Sequence, residues 1–205
     1  MLRKIGKPIP LYAKNMGAYV PSVDIPVGYD LEVADWVAPN GKGVVVDFLV
    51  TVTKFQYNND NDFDVSALIT FPNEDDGIQE IQLPKEFASG DFKWPREAPI
   101  NGYSSKLEAR RLWHNFQPGK TESIATEKET QAHFFRVRTL KKDGQIVSAL
   151  YGKITGGIGT GPGNRKNAYV GFAYYLNPTP NDRNLEFSGK TLFPNLPQEE
   201  IIRLP

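Results

Sequence analysis

Two segments of this 205-residue chain carry residue types that could do chemistry, and a third imitates a motif. The run Asp60, Asp62, Asp64 places carboxylates at alternate positions of one short loop. Hard cations such as calcium take roughly six to eight oxygens, so the run is a candidate calcium loop, with Glu74, Asp75 and Asp76 as further ligands. An EF-hand would need glycine at position 65 and glutamate at 71. The chain has Val65 and Phe71 there, which excludes that motif. Solvated turn residues at a hairpin tip explain the same run.

The second candidate is a sugar site made by Tyr174, Tyr175, Asn177, Asp182, Arg183 and Asn184. Flat aromatics stack on pyranose faces, while amide, carboxylate and guanidinium groups bond to hydroxyls. Pro178 and Pro180 stiffen the intervening stretch. A rigid turn, whose Asn and Asp side chains bond their own backbone, is the competing account.

The glycine-rich run from Gly152 to Gly163 imitates a phosphate loop but lacks the Gly-Lys-Ser/Thr ending and the G-x-G-x-x-G spacing. It reads as a glycine-rich hairpin connection. The competing role is an anion loop, with Arg165 and Lys166 beside its amides. His114 and His133 are the only histidines, and neither has zinc-site or triad spacing. No catalytic residue is assigned, and no carboxylate pair stands out for glycoside hydrolysis.

Bulk composition removes other classes. Lys plus Arg and Asp plus Glu both number 24, so no net field draws nucleic acid or an anionic membrane. The pairs Arg110-Arg111 and Lys141-Lys142 are too short to form a binding footprint. The chain has no cysteine, which removes disulfides and thiolate chemistry. No apolar run approaches the roughly 20 residues of a membrane helix. Met1 to Pro8 carries positive charge with no apolar stretch behind it, so no signal peptide is expected in this numbering.

The elements that must position these groups are strands. In residues 44 to 57, Val44, Val46, Phe48, Val50 and Val52 alternate with Asp47, Thr51 and Thr53, which predicts a long strand with one buried and one wet face. Further strands are expected at 31–37, 65–71, 78–83, 132–140, 145–155, 167–176 and 185–187, with Asp143-Gly144 as a hairpin turn. Ser105 to Glu108 matches a capping box, and Leu107, Leu112, Trp113 and Phe116 suggest one short helix in an irregular insertion spanning 84–131.

Residues 1–30 and 188–205 are proline-rich and read as extended arms, lying over the domain or over a neighbouring subunit. The expected fold is all-β: an antiparallel β-sandwich over 31–187, with jelly-roll order as one form. The expected function is a non-catalytic structural or binding module, exported to the cell exterior or envelope or built into an assembly through its arms. A carbohydrate-binding or carbohydrate-active protein is the alternative. No cofactor other than calcium is implied.

Overall fold

The computed structural model describes residues 7–82, 96–117, 119–128, 130–164 and 166–202. Among the described residues, twelve strands form two six-stranded sheets that pack face to face. The first sheet runs β12 (Phe187–Thr191), β1 (Ile9–Tyr19), β11 (Ala168–Asn177), β10 (Gln145–Pro162), β9 (Gln131–Lys142) and β6 (Gly77–Gln82). The second runs β3 (Asp35–Trp36), β2 (Val27–Asp30), β4 (Phe48–Asn59), β5 (Asp62–Thr70), β7 (Lys106–Gln117) and β8 (Lys120–Ala125). All neighbours are antiparallel except β1 and β12. The expected all-β sandwich is what forms.

The core follows from alternation. Phe48, Val50 and Val52 on β4 and Val65, Ala67 and Ile69 on β5 point inward, against Phe135, Val137, Ile154, Phe172 and Tyr174 of the other sheet. Phe48 is the hub, with Phe71, Phe135 and Phe172 ring centroids 5.5, 5.3 and 6.0 Å away. Edge and tilted contacts suit the ring quadrupoles. Gly152 is needed for this packing, because a Cβ there would come within 2.0 Å of the Phe135 ring.

The first sheet is also covered in part on its outer face. Phe134, Ala149 and Tyr151 pack against Ala98 and Leu185, while Leu11, Ala13 and Tyr175 pack against Phe187. Seven consecutive residues of β9, Gln131 to Val137, are therefore buried. A strand covered on both faces loses polar alternation, and here the buried run includes Gln131, His133 and Arg136 among its apolar residues.

Several expectations need correction. Residues 106–117 form β7 instead of a helix, and among the described residues the sole helical element is a 3-10 turn, Gln198–Glu200. Pairing with β5 over nine positions overrides the Ser105–Glu108 capping pattern. Within the N-terminal arm, Val27–Asp30 form β2 and Ile9–Tyr19 form β1, which lies between two strands. Its ladder with β11 begins at Tyr12, beyond both Pro8 and Pro10, so neither missing N–H interrupts it. In the C-terminal tail, residues up to Thr191 belong to β12.

Of the strand expected at 31–37, residues 31–34 form a turn and Asp35–Trp36 form the short strand β3, while the longer partner β2 precedes the expected range at Val27–Asp30. In the 44–57 run the strand starts at Phe48, leaving Val44 79% exposed and Asp47 buried. The Asp143-Gly144 turn forms as expected, both residues taking positive φ of 52° and 76°. Leu83, Trp94, Pro95, Pro118, Arg165 and Pro205 lie outside the described residues.

Candidate functional site

The proposed sugar site divides. Tyr174 and Tyr175 sit at successive positions of β11, so their rings leave opposite faces of the sheet. Tyr174 is buried in the core and its hydroxyl donates to the Leu31 carbonyl at 2.7 Å. Tyr175 is buried under Phe187, with the Lys153 ammonium 4.8 Å from its ring centroid. Neither ring has a face open for stacking.

Asn177 is buried as well. Its amide donates to the carbonyls of Asp182 and Asn184, and its oxygen accepts from the Thr179 amide. The polar remainder, Asp182, Arg183 and Asn184, borders a cavity of about 510 Å³ with Lys7, Arg96 and Glu97. Arg183 there is occupied by Glu97 and the Ala98 carbonyl. The loop is a hydrogen-bonded turn that leaves the two tyrosines outside its cavity.

The aspartates of the candidate calcium loop do not converge. Asp60 accepts from the Tyr57 hydroxyl. Asp62 accepts from the Asn58 amide and lies against His114, and the Asn58 bond, with His114 second, holds its carboxyl below the ordinary value. Asp64 takes two bonds from Arg110, at 3.0 and 2.8 Å, and one from Lys54 at 2.6 Å. The Arg110 guanidinium, with Lys54 assisting, lowers the Asp64 pKa against the opposing effect of burial. Among the described residues, no group of three or more His, Asp or Glu side chains could hold a metal ion.

The glycine-rich run is strand, not a hairpin loop or phosphate cradle. It continues β10 to Pro162, with a register shift between Thr155 and Gly159 where Gly156 takes a φ of 76°. The segment crossing from β8 to β9 packs against it: a Cβ on Gly157 would meet the Glu127 Cα at 2.7 Å. Beyond that crossing, Gly157, Gly159 and Gly171 floor a groove of about 420 Å³ beside Asn15, Glu127 and Tyr169. The Tyr169 ring leans over Gly17 and Gly171, where any side chain would collide with it.

A second hollow lies on the other side of Glu127, between the sheets. Glu80, Leu107, Glu108, Glu127, Lys128, Gln131, His133 and Ile158 border about 390 Å³. Glu80 and His133 are register partners on β6 and β9. The Gln131 side chain donates to Glu80 at 3.1 Å and accepts from the Lys128 amide at 2.8 Å. His133 is 2% exposed, and burial pushes its pKa down against the opposing pull of Glu80. These groups come from β6, β7, β9, β10 and the 125–131 crossing, so no local motif marks them.

Sequence reasoning also missed a buried charge cluster. Arg138 donates to Asp47 at 2.8 and 2.9 Å, to Asp30 at 3.2 Å, and to Glu32. It occupies a bulge in β9 at a φ of 55°, a conformation that costs a non-glycine residue about 1–3 kcal/mol. Bulges re-aim side chains, and this one sends the guanidinium to the loops after β2 and before β4. Asp30 also accepts from the amides of Glu32, Val33, Val44 and Val45. Burial opposes its ionisation, yet those amides hold its pKa below the ordinary value.

Comparison with known proteins finds no matching family model, no similar curated protein and no similar solved structure.

Proposed function

We propose that this chain is a non-catalytic binding or structural module that works within a protein assembly. One observation carries the reading. Tyr19 and Tyr169 stand opposite each other on β1 and β11 and are 53% and 39% exposed. Val23 and Ile25 follow β1 and are exposed too. Tyrosines combine large apolar area with a polar tip, which makes them common anchors at protein interfaces. The contact surface assigned is thus the outer face near the end of β1, and not free terminal arms.

Light scattering on the full chain, beside a Tyr19→Glu, Tyr169→Glu double variant, tests this. The reading expects a mass above the monomer that the double variant lowers. A wild-type monomer with no mass change in the variant removes it.

The groove beside Tyr169 supports a second reading, glycan binding. An aromatic wall, an amide at Asn15, a carboxylate at Glu127 and a flat glycine floor suit a pyranose ring. A glycan array on the wild type and on Tyr169→Ala separates the two. Binding that disappears with Tyr169 supports the sugar reading, and an empty array removes it.

A further inference from the structure

The C-terminal segment after β12 is held on β1 by side-chain anchors more than by a continued ladder. Two register pairs join β12 to β1, Ile9 with Phe187 and Leu11 with Thr191. Next to them the Leu192 N–H donates to the Leu11 carbonyl at 2.9 Å. The Thr191 hydroxyl donates to the Ala13 carbonyl at 2.9 Å and accepts from the Ala13 N–H at 3.2 Å. Phe193 then enters between Tyr12 and Tyr174, with ring centroids 5.0 and 6.5 Å away. The Lys14 ammonium meets the Glu200 carboxylate at 3.0 Å, with 11% and 27% of the two side chains exposed. The Asn15 side chain donates to the Glu199 carbonyl at 3.5 Å, and Ile202 packs on the outer cluster of Leu11, Ala13, Tyr175 and Phe187. The segment thus wraps the β1 edge, from the core side to the outer side.

The link that leads into these anchors is short and open. Ser188, Gly189 and Lys190 are exposed, and Gly189 has a φ of 81° with no heavy atom within 4 Å of where its Cβ would stand. Glycine passes between positive and negative φ at little cost, which suits a hinge. The arm beyond it is stiff, because Pro194 and Pro197 fix φ. The loop before β12 is tied down instead, by Asn177 to the carbonyls of Asp182 and Asn184 and by Arg183 to that of Ala98. Freedom is therefore confined to residues 188–190. A short hinge feeding a stiff arm invites exchange between copies, since a neighbour's identical arm makes every one of these contacts equally well.

We propose that the β1 edge, with Lys14 and the slot between Tyr12 and Tyr174, is a docking site for residues 191–202 of a second copy, so that two chains exchange arms reciprocally. The Lys14 charge selects the acidic end of the arm at Glu200, and Phe193 fills the aromatic slot. The exchange rests on the assembly reading and names its partner, yet it uses neither Tyr19 nor Tyr169.

The test uses the full chain in two variants, Lys14→Glu and Glu200→Lys. Alone, each sets like charges against one another whether its arm folds back or crosses to a copy of itself. In an equimolar mixture, only reciprocal exchange restores opposite charges at both seats. Light scattering is expected to give a smaller mass for each variant alone and the mass of a dimer for the mixture, a gain that disappears when Phe193→Ala is added to both. A second measurement changes no charge at the seat. The chain has no cysteine, so a nitroxide on Asn195→Cys of an unlabelled chain reports on 15N-labelled wild type mixed with it. It is expected to broaden the Asn15 and Gly17 amides of the labelled chain, while a nitroxide on Lys142→Cys leaves them sharp. Where Lys14→Glu does not fold, the broadening alone decides. A mixture whose mass is the mean of its components, with no excess broadening from Asn195→Cys, overturns the exchange. If Tyr19→Glu, Tyr169→Glu still lowers the wild-type mass in that case, the exchange falls and the assembly reading stands.

Discussion

Arg138 and Arg110 each hold aspartates from another strand, yet their surroundings are opposite. Arg138 reaches from β9 of one sheet to Asp30 at the end of β2 and to Glu32 and Asp47 in the adjoining loops of the other, and Asp47 is wholly buried. Arg110 stays on the outer face of its own sheet, where it shares Asp64 with Lys54, and both cations keep a third or more of their side chains exposed. Similar ion pairs thus serve different ends. The inner cluster ties two loops and two sheets together and cannot lose a member without stranding a buried charge. The outer one keeps its buried carboxylate paired with Lys54 when Arg110 is lost, and its two half-exposed cations are screened by salt.

The largest test of that contrast is Arg138→Ala. Removing one partner of a buried cluster costs about 3–5 kcal/mol, so chemical denaturation should show a stability loss of that size. Recovery of much of the loss in an Arg138→Met, Asp47→Asn variant would tie it to the stranded carboxylate.

An intermediate effect should appear as opposite slopes with pH. Asp76 accepts from the Arg138 and Thr139 amides at 3.0 and 2.9 Å, yet burial raises its pKa above 3.8. A carboxyl raised in the folded state binds protons there first, so its contribution grows as pH falls from neutrality through the raised value. Asp64 is lowered by Arg110, so its contribution is complete above 3.8 and is lost as pH falls through the lowered value. Denaturation midpoints across pH should lose the first rise in Asp76→Asn and the later fall in Asp64→Asn.

Arg110→Ala should cost about 1 kcal/mol or less, read from the same denaturation curves. The smallest effect is that of salt. At 1 M the screening length is about 3 Å, so the Arg110→Ala deficit should shrink while the Arg138→Ala deficit persists. A deficit at Arg138 that shrank equally would erase the distinction between the two clusters.

What could be read from the residues follows the same division between local and distant. Phe48, Val50 and Val52 advertise their strand because alternation is local and one face is dry. Asp143-Gly144 advertises its turn for the same reason. The β7 strand hides because Arg111 takes an inward register beside Val65, while Leu112 pairs with Asp64 on the outer face. With polar and apolar types exchanged at two positions, a helical stripe fits as well as a pleat. The Arg138 cluster joins residues 91 to 108 positions apart, and neither pattern nor spacing brings them together. The inter-sheet pocket is hidden likewise, since Glu80, Glu108, Glu127 and His133 meet only after both sheets close. Tyr174 and Tyr175 looked like a platform because burial on the outer face depends on Phe187, from a strand beyond the loop.

The placement of β1 sets a schedule for synthesis. Its ladder joins Tyr12 to Leu176 and Tyr19 to Tyr169, so its mate leaves the ribosome some 150 residues later. At about 5–20 residues per second, that is a delay of roughly 8 to 30 s. Throughout it, the eleven-residue ribbon of β1, with Leu11, Tyr12 and Met16 still uncovered, waits in the nascent chain while the β4–β5 and β7–β8 hairpins are already complete. Closure of the first sheet therefore waits for residues 169–176, and until they are made β1 has no partner strand in β11.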